Sequence, residues 1–306
     1  MKKLLNTLTF IFFTLSGLTA QGAVISSSSG CDTANLTLNT VADVSSGSNY
    51  LSTSYNASQC AYYFGNDDAH GLSSPDPNIG QLNDGLLNGE GGFDYLHFID
   101  TPDLQALDID GVANDPGWIH LANLDSHFNA SYSSIGPAPL GDGSEIDGRN
   151  TTATSLDNLL NVAFSCTSGS SGDCNAGTWS LNILDVSGIV NIVQQVLGQY
   201  ALFDQLAISI KSGSVKGKHQ SIIYNIDFKD IFASENTRSV LNLQTPYNLG
   251  GTFNTLDIGG KGASHINVWA RDPAQSIQVT SPGIVGLLCL SLLLLSTRRA
   301  IQGIKS

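Results

Sequence analysis

The feature that most constrains the fold is the short length of the hydrophobic segments and the alternation within them. In residues 206–211 large apolar side chains alternate with small or polar ones, and residues 224–229 repeat the pattern. A period of two residues places one set of side chains on each face of a β-strand, so we expect one buried and one wet face. Clusters of Gly, Ser, Asn and Asp separate these segments. The pattern predicts many short strands joined by turns.

The clearest strand candidates lie in the second half of the chain. Residues 178–183 begin one strand, and residues 266–271 form the last. The intervening loop, with Gly213 and Gly217, predicts that segments 206–211 and 224–229 pair as a hairpin. Shorter candidates in the first half are residues 62–64, 95–99 and 118–121.

One segment has helical periodicity. Apolar residues recur at helical spacing from Ile189 to Leu197, Ser187 is a candidate N-cap, and Gly198 ends the run. The predicted fold is therefore mainly β: an antiparallel β-sandwich or jelly-roll-like body with one short helix covering one end, followed by a C-terminal transmembrane helix.

The N-terminus has the pattern of a secretory signal. Lys2 and Lys3 precede an apolar run over residues 4–18, and small residues follow, which predicts cleavage between Ala20 and Ala23. We therefore expect residues 1–23 to be a signal peptide and the protein to be exported.

A second apolar segment lies near the C-terminus. Residues 284–295 are almost wholly apolar, and Arg298, Arg299 and Lys305 follow them. The run is shorter than the ~20 residues that normally cross a bilayer, so it could span only a thinned one, with the basic residues on the cytoplasmic side. The predicted organisation is a signal peptide (1–23), an acidic body (24–278, one domain or a loop-rich part 24–148 and a strand-rich part 149–278), and a sorting or transmembrane tail (279–306).

The tail resembles that of the PEP-CTERM class of bacterial surface proteins. A proline, a short apolar helix and the Arg298–Arg299 pair follow the family pattern, with Ser281, Pro282 and Gly283 in place of Pro-Glu-Pro. Segments such as "GTWSLNI" and "SHINVWARDP" are similar to β-rich, uncharacterised members of that class. The resemblance implies an inner-membrane intermediate that an exosortase-like enzyme cleaves, followed by release to the cell surface or extracellular space. A permanent single-pass anchor is the alternative.

The charge is strongly negative and unevenly distributed. The chain has 26 acidic and 13 basic residues, and residues 24–148 hold 17 of the acids and no Lys or Arg. Such a field repels phosphate backbones and anionic lipids, so we expect no nucleic-acid partner. Two interpretations stay open, a well-hydrated acidic surface and divalent-cation binding.

Calcium is the cofactor that acid-rich loops favour, because it prefers hard oxygen ligands. The candidate ligands are Asp67 and Asp68 in one loop and Asp108 and Asp110 in another. Neither loop has the spacing of an EF-hand, and solvated turns are the alternative.

Four cysteines lie between the two ends of the chain. An even number in an exported chain predicts disulfides, most simply Cys31 with Cys60 and Cys166 with Cys174, although three connectivities are possible.

No catalytic motif is present in the sequence. There is no Gly-x-Ser-x-Gly elbow and no phosphate-binding glycine loop. The predicted role is therefore structural, adhesive or glycan-binding, with a surface polysaccharide or matrix as partner. Trp118, Trp269 and Arg271 are the candidate ligand-binding residues, with exposed tryptophans as the sugar-binding surface. For Trp269 the alternative is that it packs under a loop or across strands. The alternative is an envelope-anchored, secreted carbohydrate-active enzyme, which needs two facing carboxylates that sequence alone does not select.

Overall fold

The computed structural model describes residues 31–63, 78–107, 111–136, 153–169, 173–195, 202–212, 221–235 and 241–271. The predicted signal peptide (1–23) and the predicted sorting or transmembrane tail (279–306) lie outside these residues. Within the described ranges, no helix is both long enough and apolar enough to cross a bilayer.

The described part of the chain is mainly β and all strand pairs are antiparallel. The strands are β1 (Leu36–Asp43), β2 (Tyr55–Asn56), β3 (Gln59–Tyr63), β4 (Trp118–Leu124), β5 (Ala130–Tyr132), β6 (Ser134–Ile135), β7 (Thr154–Ser155), β8 (Leu160–Ser168), β9 (Ala176–Ile183), β10 (Gln205–Ser212), β11 (Ser221–Asp227), β12 (Tyr247–Asn254) and β13 (Ala263–Arg271). They form a five-stranded sheet in the order β2-β1-β12-β9-β8, a six-stranded sheet in the order β3-β11-β10-β13-β4-β5, and the small β6-β7 pair.

Both large sheets combine strands from the two parts of the body. β1 pairs with β12, β3 pairs with β11, and β4 pairs with β13. The predicted pairing of β10 with β11 is confirmed, with Ile208 opposite Tyr224. Neither large sheet is therefore built from one part of the chain alone.

The main hydrophobic cluster contains side chains from both large sheets. Ile208 and Ile226 of the six-stranded sheet belong to it, together with Leu36, Trp179 and Phe253 of the five-stranded sheet. Ile208 and Ile226 are positions that the alternation predicted to face inward, and that prediction is confirmed.

The predicted wet face of β10 is wrong, because all eight of its residues are buried. Ala207 belongs to a second hydrophobic cluster on the opposite, outer face of the sheet, with Leu86, Phe93, Phe98 and Trp118. We call residues 78–107, which supply most of the cover, the covering segment. It contains four short 3₁₀ helices, Leu86–Asn88, Glu90–Gly92, Tyr95–His97 and Thr101–Asp103, so the strand predicted at residues 95–99 is also wrong.

Two asparagine side chains attach the covering segment to the edge of β4. Asn88 donates to the Trp118 carbonyl at 2.7 Å and accepts from its amide at 3.0 Å, and Asn78 makes the same pair of bonds with His120 at 2.8 and 3.2 Å. Gly80 crosses close beside them with a φ of +92°, where an added Cβ would collide with the Gly117 backbone.

Two α-helices are described, where one was predicted. α1 (Val186–Gln195) is the predicted helix, and α2 (Phe228–Ser234) follows β11 directly. Asp185, not Ser187, caps α1: its carboxylate accepts from the Gly188 amide at 3.0 Å and from the Ser187 hydroxyl at 2.7 Å.

Both predicted disulfides are confirmed. Cys31 is bonded to Cys60 of β3, so this bridge joins the segment preceding β1 to the six-stranded sheet. Cys166 of β8 is bonded to Cys174, just before its neighbour β9. Two disulfides are consistent with an oxidising environment outside the cytoplasm.

Candidate functional site

Trp118 and Trp269 lie in the protein interior. Their side chains are 0% and 1% exposed, and the Trp269 ring packs edge-on against His120 with a centroid separation of 4.7 Å. The expectation that they form an exposed sugar-binding surface is therefore wrong. The physical reason is the covering segment, which buries the face of β13 and β4 that carries them.

Arg271 is also fully buried, and it connects three elements. Its Nη1 bonds Asp204 at 2.9 Å, its Nη2 donates to the Asp103 carbonyl at 2.7 Å, and its Nε donates to the Pro116 carbonyl at 3.2 Å. The guanidinium thus holds the Thr101–Asp103 turn against the end of β13.

The candidate calcium ligands Asp67, Asp68, Asp108 and Asp110 lie outside the described residues. Among the residues that are described, no group of three or more His, Cys, Asp or Glu side chains is arranged to hold a metal ion.

A polar cleft of about 240 Å³ opens on the outer face of the six-stranded sheet, between β10, β11 and the covering segment. Its lining residues are Ser58, Gln59, Leu96, His97, Phe98, Ile99, Asp100, Asp103, Gln205, Asn225, Asp227 and Asp230. We call it the aspartate cleft, because four aspartates line it. None of these four was singled out in the sequence analysis.

The strands present two buried amide side chains to the cleft. Gln205 lies opposite Asp227 in the β10–β11 register, and Asn225 lies opposite Gln59 in the β11–β3 register. Gln205 is 4% exposed and Asn225 1%. Gln205 Oε1 and Asn225 Oδ1 have no hydrogen-bond partner among the described residues. Leaving a buried acceptor unpaired costs ~1–3 kcal/mol, so a feature of this kind calls for an explanation.

The opposite wall is the end of the covering segment. Leu96, Phe98 and Ile99 provide apolar surface, and the His97 ring packs edge-on against Phe98 at a centroid distance of 4.8 Å. Asp100 and Asp103 follow in the turn that Arg271 holds. The cleft therefore combines oxygen acceptors with a short apolar wall.

Asp227 occupies the junction between β11 and α2. Its carboxylate caps α2 by accepting from the Lys229 amide at 2.8 Å, and its amide donates to the Ser58 hydroxyl at 3.0 Å. Burial raises the pKa of this carboxyl, and the nearby charges of Asp230 and Asp204 raise it further. The site thus brings carboxylates of like charge close together where they are partly shielded from water.

A buried ion cluster lies beside the cleft. The Oδ2 atom of Asp204 bonds both Arg271 at 2.9 Å and Lys229 at 2.8 Å, and Asp204 itself is fully buried. Both cations are thus bonded to a carboxylate outside the cleft lining. In the described ion pairs, none of the four lining aspartates is bonded to a Lys or an Arg.

A second cavity, of about 70 Å³, lies between the sheets near α1 and α2. Leu121, Leu206, Phe228, Phe232 and Tyr247 are among its mainly apolar lining residues. It has the character of a packing space in the hydrophobic core. Its polar lining residues Asn242 and Thr245 bond each other, with the Thr245 hydroxyl donating to Asn242 Oδ1 at 3.1 Å.

The sequence carries two partial signals for the aspartate cleft. Asp227 and Asp230 are three residues apart at the change from strand to helix, which is the spacing of a helix cap and an acid in its first turn. Asn225 lies at a polar position of an alternating strand. Neither signal shows that the covering segment lies against β10 and β11 at this place. The contact between that segment and the two strands creates the cleft.

Comparison of the chain with protein-family models, with curated proteins and with solved structures finds no match.

Proposed function

We propose that the protein is an exported bacterial surface or matrix protein whose β-sandwich body binds a glycan in the aspartate cleft. One observation carries the binding proposal: Gln205 and Asn225, whose buried side-chain oxygens have no partner among the described residues, line a cleft together with four aspartates. Sugar hydroxyl groups supply the donors that such acceptors lack. The short apolar wall suits the C–H face of a sugar ring.

The size of the cleft suits a small ligand. Pockets for drug-sized ligands hold roughly 300–1,000 Å³, and the cleft, at about 240 Å³, lies just below that range. We therefore expect it to hold one sugar ring of a longer chain. The two disulfides agree with a location outside the cytoplasm.

Binding can be separated from folding with apolar isosteres. Gln205→Met and Asn225→Leu remove the unpartnered oxygens while keeping most of the side-chain volume. Ser209→Ala is the matched control, since Ser209 is equally buried on the same face of β10, also has an unpartnered oxygen, and does not line the cleft.

Isothermal titration against a panel of neutral and charged oligosaccharides is the measurement. We expect wild type and Ser209→Ala to bind the same member of the panel. Gln205→Met and Asn225→Leu should lose at least tenfold in affinity while remaining folded. Equal affinity in all four proteins, or no binding to any member of the panel, would overturn the proposal.

An envelope-anchored carbohydrate-active enzyme is the second candidate. The raised pKa of Asp227, in a cleft that also holds Asp100, Asp103 and Asp230, is the observation that favours it. If the bound oligosaccharide is cleaved and Asp227→Asn abolishes cleavage without abolishing binding, this candidate replaces the binding role.

The route to the surface is proposed to follow the PEP-CTERM-like tail, with Ser281, Pro282 and Gly283 as the processing motif and Arg298 and Arg299 as its basic end. The tail would cross the inner membrane as a helix until an exosortase-like enzyme removes it. Intact mass of the protein from the surface fraction of its host tests this. A mature protein that retains residues 279–306 there would show the tail to be an anchor.

A further inference from the structure

We propose that the ligand of the aspartate cleft carries a protonated amine, as an amino sugar with a free amino group does. The inference rests on the glycan-binding function proposed above and narrows it to one class of sugar. Its basis is that four carboxylates line the same cleft as two residues whose buried side-chain oxygens have no hydrogen-bond donor among the described residues.

The charge of the lining has one sign. Asp100, Asp103, Asp227 and Asp230 line the cleft, and no Lys or Arg is among the described residues that line it. The two nearby cations, Lys229 and Arg271, both bond the Oδ2 atom of Asp204, which lies outside the lining. The cluster of Asp204, Lys229 and Arg271 has two cations and one carboxylate, a net charge of +1, against −4 for the four lining aspartates, so a cationic ligand group finds a net negative field in the cleft.

The hydrogen-bonding groups of the strands match an ammonium group. A primary ammonium has three donors and no acceptor. Gln205 Oε1 and Asn225 Oδ1 are two buried acceptors on neighbouring strands, and the carboxylates beside them accept further bonds. A hydrogen bond between a charged donor and an oxygen is stronger than one between neutral groups. The raised pKa of Asp227 has burial and then carboxylate repulsion as its causes, and a bound cation would relieve the repulsion.

The same features argue against three other ligand classes. Acidic sugars such as uronates would add negative charge to a negative site. N-acetylated sugars lose both the positive charge and two of the three donors of the amine. A bare divalent cation needs several close ligands, and the described residues contain no group of three or more acidic, His or Cys side chains arranged for one.

The test compares oligosaccharides that differ only in charge. Glucosamine hexamer, its fully N-acetylated form, cellohexaose and hexagalacturonate are titrated into the purified protein by calorimetry at pH 6 and low salt. We expect the glucosamine hexamer to bind at least tenfold more tightly than cellohexaose, with an affinity that falls as salt is raised. We expect no binding of the uronate.

A charge-matched pair of variants assigns the preference to the cleft. Asp230→Asn should reduce the ratio of glucosamine to cellohexaose affinity at least threefold. Asp157→Asn removes the same charge at an exposed position outside the cleft lining and should leave the ratio unchanged.

The outcomes separate the two levels of proposal. Equal binding of glucosamine hexamer and cellohexaose would overturn the amine inference and leave the glycan-binding function standing. Failure of every sugar to bind would overturn both. Binding that requires added calcium and is lost with a chelator would also overturn the amine inference, because a metal ion would then occupy the acceptors.

Discussion

The two faces of the six-stranded sheet are built from the same strands but differ in chemistry. The inner face presents Ile208 and Ile226 to the main hydrophobic cluster. The outer face, which is also buried, carries Gln205, Ser209 and Asn225, each with a side-chain oxygen that has no partner among the described residues. The inner face follows the ordinary rule for a core, whereas the outer face contains groups whose burial opposes folding. We infer that the inner face stabilises the protein and that, on the outer face, the polar positions of Gln205 and Asn225 beside the second hydrophobic cluster serve recognition.

The largest effect expected on this comparison comes from Arg271 of the outer face. Arg271→Met leaves the buried Asp204 carboxylate with only Lys229, whose side chain is 47% exposed, as an ionic partner. Removing one member of a buried ion pair costs about 3–5 kcal/mol, so the free energy of unfolding in urea should fall by that amount. The double variant Asp204→Leu with Arg271→Met should recover part of the loss. A single variant as stable as wild type would show that the ion cluster contributes little to the outer face.

Adjacent residues of β10 test the two faces directly. Ile208→Ala removes apolar volume from the inner face and should lower the free energy of unfolding by about 2–5 kcal/mol. Ser209→Ala removes an unpartnered hydroxyl from the outer face and should leave stability unchanged or raise it by up to ~1 kcal/mol. Urea unfolding of both variants measures the contrast. Similar losses would mean that both faces have the same role.

Tyr224 places a polar hydroxyl on the inner face, and its contribution to stability is smaller and depends on pH. Its hydroxyl donates to Asp257 Oδ2 at 2.8 Å. Burial, followed by this hydrogen bond and the negative charge of Asp257, holds the pKa of Tyr224 above its ordinary value. Because the folded-state pKa is raised, the stabilisation is fully present below the unfolded pKa of about 10 and is lost as pH rises above it.

Tyr224→Phe should therefore cost about 1 kcal/mol at pH 7 and reduce the alkaline loss of stability. Thermal unfolding of wild type and variant between pH 7 and 11 is the measurement. Tyr132→Phe, which removes a hydroxyl that accepts from the Val162 amide at 2.9 Å on the edge strand β5, is the control for losing a tyrosine hydrogen bond away from Asp257. Parallel curves for wild type and Tyr224→Phe would show that another group causes the alkaline loss.

Sequence patterns predicted the inner face well and the outer face poorly. The alternation in β10 and β11 identified the residues of the main cluster, because period-two patterning is local information. It also predicted a wet outer face, because nothing local shows that residues 78–107 fold back over the sheet. That contact depends on Asn78 and Asn88, whose side chains bond the backbone of β4 some 42 and 30 residues away.

The candidate site shows the same limit. Arg271 and the two tryptophans were selected as polar or aromatic members of strands, and the structure makes Arg271 a support for one wall and buries the tryptophans. The cleft itself joins the Asp100–Asp103 turn to Asp227 and Asp230, which are more than 120 residues away in the chain. Only the folded arrangement relates them.

The place of β13 in the fold sets the order in which the body can form. This strand is the last one described, yet it lies in the middle of the six-stranded sheet, between β10 and β4. Long-range pairings of this kind form slowly and leave partly made sheets exposed. A chain delivered from its N-terminus cannot close the six-stranded sheet until residue 271 has emerged. Up to that moment the edges of β10 and β4 that pair with β13 are open, so the middle of the sheet is completed only when its last described strand is added.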